Sequence, residues 1–191
     1  MSIFAFCEMR KLKLRAMNRH NGMRPQDIVV LLKILVYGKN PWTLAEMSKA
    51  LHISLSEVSN ALERNRIAGL INQSKKQVNV LALRDFLVYG LRYVFPPQVG
   101  TSVRGVLTAH SASPIKEHIA AGNDNYVWSY YKGSKRGFSI APLYEKIPKF
   151  VESDPLLYEY LVIVDTLRVG KTREIEIAIK ELDQKIKNYD R

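Results

Sequence analysis

Between Arg24 and Ile67 the apolar positions fall into helical rhythm three times before the period changes. "RPQDIVVLLKILVYGKNPW" is dense enough in apolar residues to be buried on nearly every side. Pro25 stands at a favoured first-turn position, Asp27 belongs to the first turn, and Gly38 is placed to end the helix. In "TLAEMSKALHISLSEVSNALE", Thr43 is a helix N-cap and Glu46 completes a capping box. Met47, Ala50 and Leu51 give this second helix its inner face. A corner at His52 follows, and Ser48 supplies a small residue where the flanking helices meet. Val58, Ala61, Leu62 and Ile67 then give a third helix its inner face at helical spacing. The corner asks for a left-handed backbone, which glycine adopts without steric cost. Histidine is one of the few other residues enriched there, at a cost of roughly 1 kcal/mol.

"AGLINQSKKQVNVLAL" changes the period. Leu70 and Ile71 read as a short strand, Gln73 to Gln77 as a polar basic tip, and Val78 to Val80 as the returning strand. "LRDFLVYGLRYVFPP" resumes helical patterning and stops at Pro96-Pro97. Beyond it, "QVGTSVRGVLTAHSASP" reads as extended, and "NYVWSYYKGSKRGFSI" as two strands around Lys132 to Arg136. Two helices close the chain. The first starts at a capping Asp154 with Pro155 behind it; the second is amphipathic, with Ile175, Ile179, Leu182 and Ile186 on one face. The expected fold is α+β. A basic arm (1–22) precedes a winged helix-turn-helix domain (23–95). A region for dimerisation, sensing or partner binding (96–191) then holds a small β-hairpin region and two C-terminal helices.

Composition changes this picture in two ways. The chain of 191 residues carries 29 Lys plus Arg against 18 Asp plus Glu, a net charge of +11. Such an excess favours polyanions as partners and says nothing about fold. Residues 1–23 hold five basic residues and one acidic, residues 24–95 ten and five, and residues 96–191 fourteen and twelve. The bias towards polyanions therefore sits in the N-terminal half. Cys7 is the single cysteine, which excludes an internal disulfide and a cysteine metal cluster and fits a reducing cytoplasm. No apolar run approaches the roughly 20 residues of a membrane span.

The chemistry of the third helix points the same way as the charge. Two helices packed at a fixed angle leave the second free to lie in a major groove. Ser54, Leu55, Ser56, Ser59, Asn60, Glu63 and Arg64 fall on its outer face. Asn60 and Arg64 are the candidates for base readout, because Asn pairs bidentately with adenine and Arg with guanine. Ser56 and Ser59 support them, and Ser54 stands at the helix start. The free amides behind Thr43 suit a phosphate, and Lys75 and Lys76 at the tip suit a backbone or minor-groove contact. Glu57 and Glu63 on the same helix count against an acid-free DNA face.

Other motifs carry less. "VGKT" at Val169–Thr172 ends like a phosphate-binding loop, but Asp165 stands where the loop needs glycine. His20, His52, His110 and His118 show no ligand spacing, so neither metal nor cofactor is expected. His110 and Ser111 are neighbours that a strand would point to opposite faces. Asp165, Arg168, Arg173 and Glu174 read as a structural cluster where the last two helices join, and no enzyme activity is expected.

"WTLAEMSKALHISLSEVSNALERNRIAGLI" with the Gln73–Gln77 tip resembles the MarR-type winged-helix regulators of bacteria. More narrowly, the run from Met23 is similar to a bacterial family of MarR-like winged-helix regulators. The shared landmarks are "RPQDIVVLLK", "RDFLVYGLRYVFP", "GVLTAHS", "YVW" and "VDTLRVGKTRE". The resemblance implies a cytoplasmic, sequence-specific transcriptional regulator that binds double-stranded DNA as a homodimer. The alternative is a protein-docking, antitoxin-like component of a two-gene defence system, in which a protein partner takes the place of DNA or joins it.

Overall fold

Helix α1 (Pro25–Tyr37) runs through the interior because its sequence leaves it almost no polar side: every residue from Asp27 to Leu35 is buried. The computed structural model that shows this describes residues 22–119 and 124–189. Cys7, His20 and nearly all of the basic arm lie outside the described residues. Helix α1 ends at Gly38, whose φ of 59° is the positive value that glycine supplies. Helix α2 (Leu44–Leu51) begins with the expected capping box. The Glu46 amide donates to Thr43 Oγ1 at 3.2 Å, and the Thr43 amide donates to Glu46 Oε2 at 2.7 Å. Helix α3 (Leu55–Ile67) packs its Val58, Ala61 and Leu62 against α1 and α2.

His52 takes the left-handed conformation at the corner, φ 54° and ψ 34°. The strain is offset by contacts from far along the chain. The Tyr144 hydroxyl donates to the His52 carbonyl at 2.9 Å and Lys146 Nζ at 3.3 Å, while the imidazole lies 5.6 Å from the Phe150 ring. Ser48 does more than stay small. Its Oγ donates to the Ile53 carbonyl at 2.6 Å, and the Ile53 amide donates back to the Ser48 carbonyl at 3.2 Å.

Three expectations need correction. The hairpin after α3 is reduced to a single bridge, Ile71 to Val78, and Val80 opens the next helix instead of finishing a strand. Asn72 is the cause: its Oδ1 accepts from the amides of Lys76 (3.1 Å) and Gln77 (3.3 Å), closing the chain into a tight turn. Ile67 is 52% exposed. It lies nine residues past Val58, about two and a half helical turns, and so on the opposite face. The third correction concerns the strands of the C-terminal half, below.

Helix α4 (Val80–Asp85), a π-helical turn (Phe86–Gly90) and α5 (Leu91–Val94) form one rod that buries Leu83, Leu87 and Leu91. Strands β1 (Val99–Thr108), β2 (Tyr126–Ser129) and β3 (Lys135–Ile140) follow. They close into a small mixed sheet: β1 is antiparallel to both partners, and β2 runs parallel to β3. The expected β-hairpin of β2 and β3 is therefore absent, because each strand finds its antiparallel partner in β1. Gly105 makes this possible. It lies opposite both Ser129 and Lys135, and a Cβ there would stand 2.0 Å from the Trp128 carbonyl oxygen.

A short helix α6 (Ile147–Phe150) leads to α7 (Pro155–Val169) and α8 (Thr172–Tyr189). Asp154 caps α7 as read, accepting from the Leu157 amide at 3.2 Å, and it also binds Lys33 of α1 at 2.5 Å. Helix α7 is as deeply buried as α1 and packs against it, so one apolar cluster runs from Ile28 through Ile163 to Ile186. Within it sits a polar hub. Asp165, 2% exposed, accepts from Thr108 Oγ1 (2.9 Å), Trp128 Nε1 (2.6 Å) and Arg168 Nη1 (2.7 Å). Arg168 in turn donates to the carbonyls of Phe95 and Ala141 at 3.0 and 3.2 Å. Two members of the expected cluster thus meet, whereas Glu174 caps α8 through the Lys171 amide and Arg173 points to solvent. His110 and Ser111 lie on a 3-10 turn and not on a strand. Among the described residues no helix is long and apolar enough to cross a membrane.

Candidate nucleic-acid interface

The corner at His52 delivers the start of α3 to the surface. Ser54 is its N-cap, accepting from the Glu57 amide at 3.3 Å, and its Oγ lies 3.2 Å from that of Ser56. Ser56, Ser59, Asn60, Glu63 and Ile67 recur at three- and four-residue steps and so share one face. Ser56, Ser59 and Asn60 are exposed on it, and Leu55 at its leading edge is 52% exposed. Hydroxyls and a carboxamide on an exposed helix face are groups that reach base edges, and the Asn60 carboxamide also hydrogen-bonds the Glu57 carboxylate.

Arg64 does not belong to that face. It is 8% exposed, and its Nε and Nη2 clasp both carboxylate oxygens of Asp27 at 2.7 Å each. Nη2 also donates to Glu57 Oε1 at 2.6 Å. The physical reason is Asp27 itself: a carboxylate that α1 carries into the core, 0% exposed, demands a cation with two parallel donors. These bonds push the Arg64 pKa upwards, the Asp27 hydrogen bond most of all. Glu57 feels opposing pressures. Burial raises its pKa, but the hydrogen bond and charge of Arg64, with Arg24 nearby, leave it lowered. Glu57 is thereby consumed in packing α3 onto α1, accepting also from Gln26 at 2.6 Å.

The tip cations are equally occupied. Lys75, at a left-handed φ of 58°, pairs with Glu63 at 2.7 Å, and Arg66 binds the same carboxylate at 2.6 Å. Hydrogen bonds from Arg66 and Lys75 hold the Glu63 pKa at about 2, so it stays ionised through neutral and mildly acidic pH. Lys76 turns back from the tip: its Nζ donates to the Trp42 carbonyl at 2.8 Å and rests 3.9 Å from the centre of the indole ring. At Thr43 the amide end of α2 is already closed by Glu46, whose pKa is lowered by the Thr43 backbone amide. That carboxylate stands where a phosphate was expected.

Of the eight residues singled out by sequence, Ser54, Ser56, Ser59 and Asn60 come together on the exposed start of α3. Lys75 borders that face through Glu63. Thr43 and Lys76 meet elsewhere, at the start of α2, and Arg64 is internal. The sequence did carry a signal for Arg64: Asp27 is the only acid in a helix whose other polar residues are just Gln26, Lys33 and Tyr37. Tyr144 and Lys146, which hold the corner, gave no local signal. Among the described residues no cluster of His, Cys, Asp and Glu is arranged to hold a metal ion. The chain matches no protein-family model, no curated protein and no solved structure.

Proposed function

We propose that residues 23–95 form a winged helix-turn-helix that reads double-stranded DNA, and that the protein is a MarR-like transcriptional regulator acting as a homodimer without covalent chemistry. The observation that carries this reading is the outer face of α3, where Ser56, Ser59 and Asn60 stand exposed beyond a left-handed corner. With Arg64 withdrawn, Asn60 is the base-reading residue, pairing with adenine through N6 and N7. Ser56 and Ser59 reach bases or phosphates.

Positive charge enters as a held reserve. Glu63 keeps Arg66 and Lys75 beside the reading face, and a DNA phosphate competes with that carboxylate for both. Glu63→Gln is therefore expected to tighten binding to any duplex several-fold and to steepen the salt dependence by about 1–2 released counterions. Anisotropy titrations of labelled duplex at two salt concentrations measure both. An unchanged slope would mean that neither cation faces DNA.

For the homodimer, the supporting feature is a stripe along the α4–α5 rod: Leu81, Tyr89, Tyr93 and Val94 are 75, 67, 77 and 52% exposed. Asp85 and Arg92 are exposed on the same rod, Asp85 beside its ion-pair partner Arg84. Two such rods laid antiparallel bring apolar side chains together, as a two-fold interface requires. The same stripe supports the second reading, an antitoxin-like docking component whose partner is a different protein. That reading draws further support from the wing tip, where both lysines are engaged inside the molecule.

A further inference from the structure

We propose that the exposed face of the β1–β3 sheet is a binding platform for single-stranded nucleic acid, separate from α3. Arg104 of β1 lies directly opposite Arg136 of β3, and the next pair on that face is Ser102 with Phe138. All four are exposed, Phe138 by 39%. Like charges facing each other across a sheet are destabilising unless something between them carries the opposite sign. Among the described residues neither arginine has a carboxylate partner. Lys33, Arg64, Arg66, Lys75, Arg84, Arg168 and Lys185 are each paired with an acid, and among the described residues Arg104 and Arg136 are the only two cations that face each other across paired strands.

The surroundings extend the positive field. From residue 125 to residue 140 the chain carries Lys132, Lys135 and Arg136 and no acid; the nearest in sequence is Asp124. The Tyr130 amide donates to the Arg104 carbonyl at 3.1 Å, which draws the 130–134 loop against β1 at the arginine pair. On that loop Tyr131 is 75% exposed, 5.2 Å from the Tyr130 ring, with Lys132 Nζ 5.5 Å from its own ring. Gly133 lets the loop lie this close, since a Cβ there would meet the Gly105 carbonyl oxygen at 2.2 Å.

Two free guanidinium groups side by side satisfy a phosphate. Exposed Phe138 and Tyr131 add aromatic faces on which unpaired bases stack, a gain open to any sequence. A duplex hides its base faces and leaves those rings unused, and an acidic peptide has no planar base to place on them. The combination selects a single strand.

The test uses the full chain and labelled RNA and DNA single strands of about 20 nucleotides, longer than one platform, with the matching duplex as comparison. Arg104→Gln with Arg136→Gln is expected to weaken single-strand binding at least tenfold and to reduce its salt slope by about 0.7, one phosphate's worth. Tyr131→Ala is expected to weaken it roughly fivefold or more, and the Arg104→Lys, Arg136→Lys pair to retain most of the affinity. These side chains are exposed, so thermal melts should match the parent and exclude misfolding. RNA and DNA arms report which sugar is preferred; tight binding of either supports the platform. Equal single-strand affinity for the parent and the double glutamine variant would overturn it. So would displacement of the strand by polyglutamate as readily as by unlabelled strand. Asn60→Ala should leave single-strand affinity untouched, which separates failure of this proposal from failure of duplex reading by α3.

Discussion

Asp165→Ala is expected to destabilise the fold by about 3–5 kcal/mol, because it leaves a buried cation without its partner. Arg168 is 4% exposed and would keep only the Phe95 and Ala141 carbonyls, while Trp128 Nε1 and Thr108 Oγ1 would lose their acceptor. The loss reaches two layers at once: the sheet through Thr108 and Trp128, and α7 through Arg168. Asp165→Asn should cost less, since a carboxamide oxygen still accepts from one or two of these donors. Urea denaturation followed by tryptophan fluorescence measures both, Trp128 standing within the hub. A cost below about 1 kcal/mol for the alanine variant would show that water replaces the carboxylate.

The second large effect is expected at Arg64. Arg64→Ala strands Asp27 at 0% exposure with its carboxylate facing apolar neighbours, again a loss of about 3–5 kcal/mol. The informative experiment is the cycle with Asp27→Leu. Removing both charges should restore most of the stability, less about 1 kcal/mol for the helix cap that Asp27 gives the Arg24 amide at 2.8 Å. Chemical denaturation of the two single variants and the double variant, Asp27→Leu with Arg64→Ala, completes it. If Arg64 were a DNA-reading side chain, its replacement would leave stability unchanged.

The elements that were legible in the sequence are those whose signals are local. The α1 and α7 helices announce themselves by apolar residues on all sides, α2 by its capping box, and the corner by its supports on either flank. What failed depended on partners distant in sequence. Arg64 looked like a surface residue because its helix face is judged from neighbours on α3, whereas its position is set by Asp27. Lys75 and Lys76 look free along the chain, and only the fold brings Glu63 and Trp42 to them. The hairpin of β2 and β3 was inferred from two extended runs and a polar turn. Nothing in that pattern shows that β1 is the antiparallel partner of both, which leaves β2 and β3 parallel to each other. The charge reading shifted most. The N-terminal half has the larger excess, yet on α3 and the turn at residues 73–77 its cations are tied to acids or turned inward. Arg104 and Arg136, two arginines without an acid partner among the described residues, face each other on the sheet of the other half.

On α3 the exposed candidates are Ser54, Ser56, Ser59 and Asn60, with Arg66 and Lys75 paired to Glu63 beside them. Selection of bound duplexes from a random pool, run side by side with the parent protein and Asn60→Ala, tests DNA reading by this face most directly. The expected result is a palindromic site for the parent, matching a two-fold dimer. Asn60→Ala should lose preference at one adenine in each half-site, a discrimination of about 1–3 kcal/mol, with the remaining positions intact. Recovery of no enriched sequence by the parent, or of the same site with undiminished adenine preference by Asn60→Ala, would contradict DNA reading by this helix.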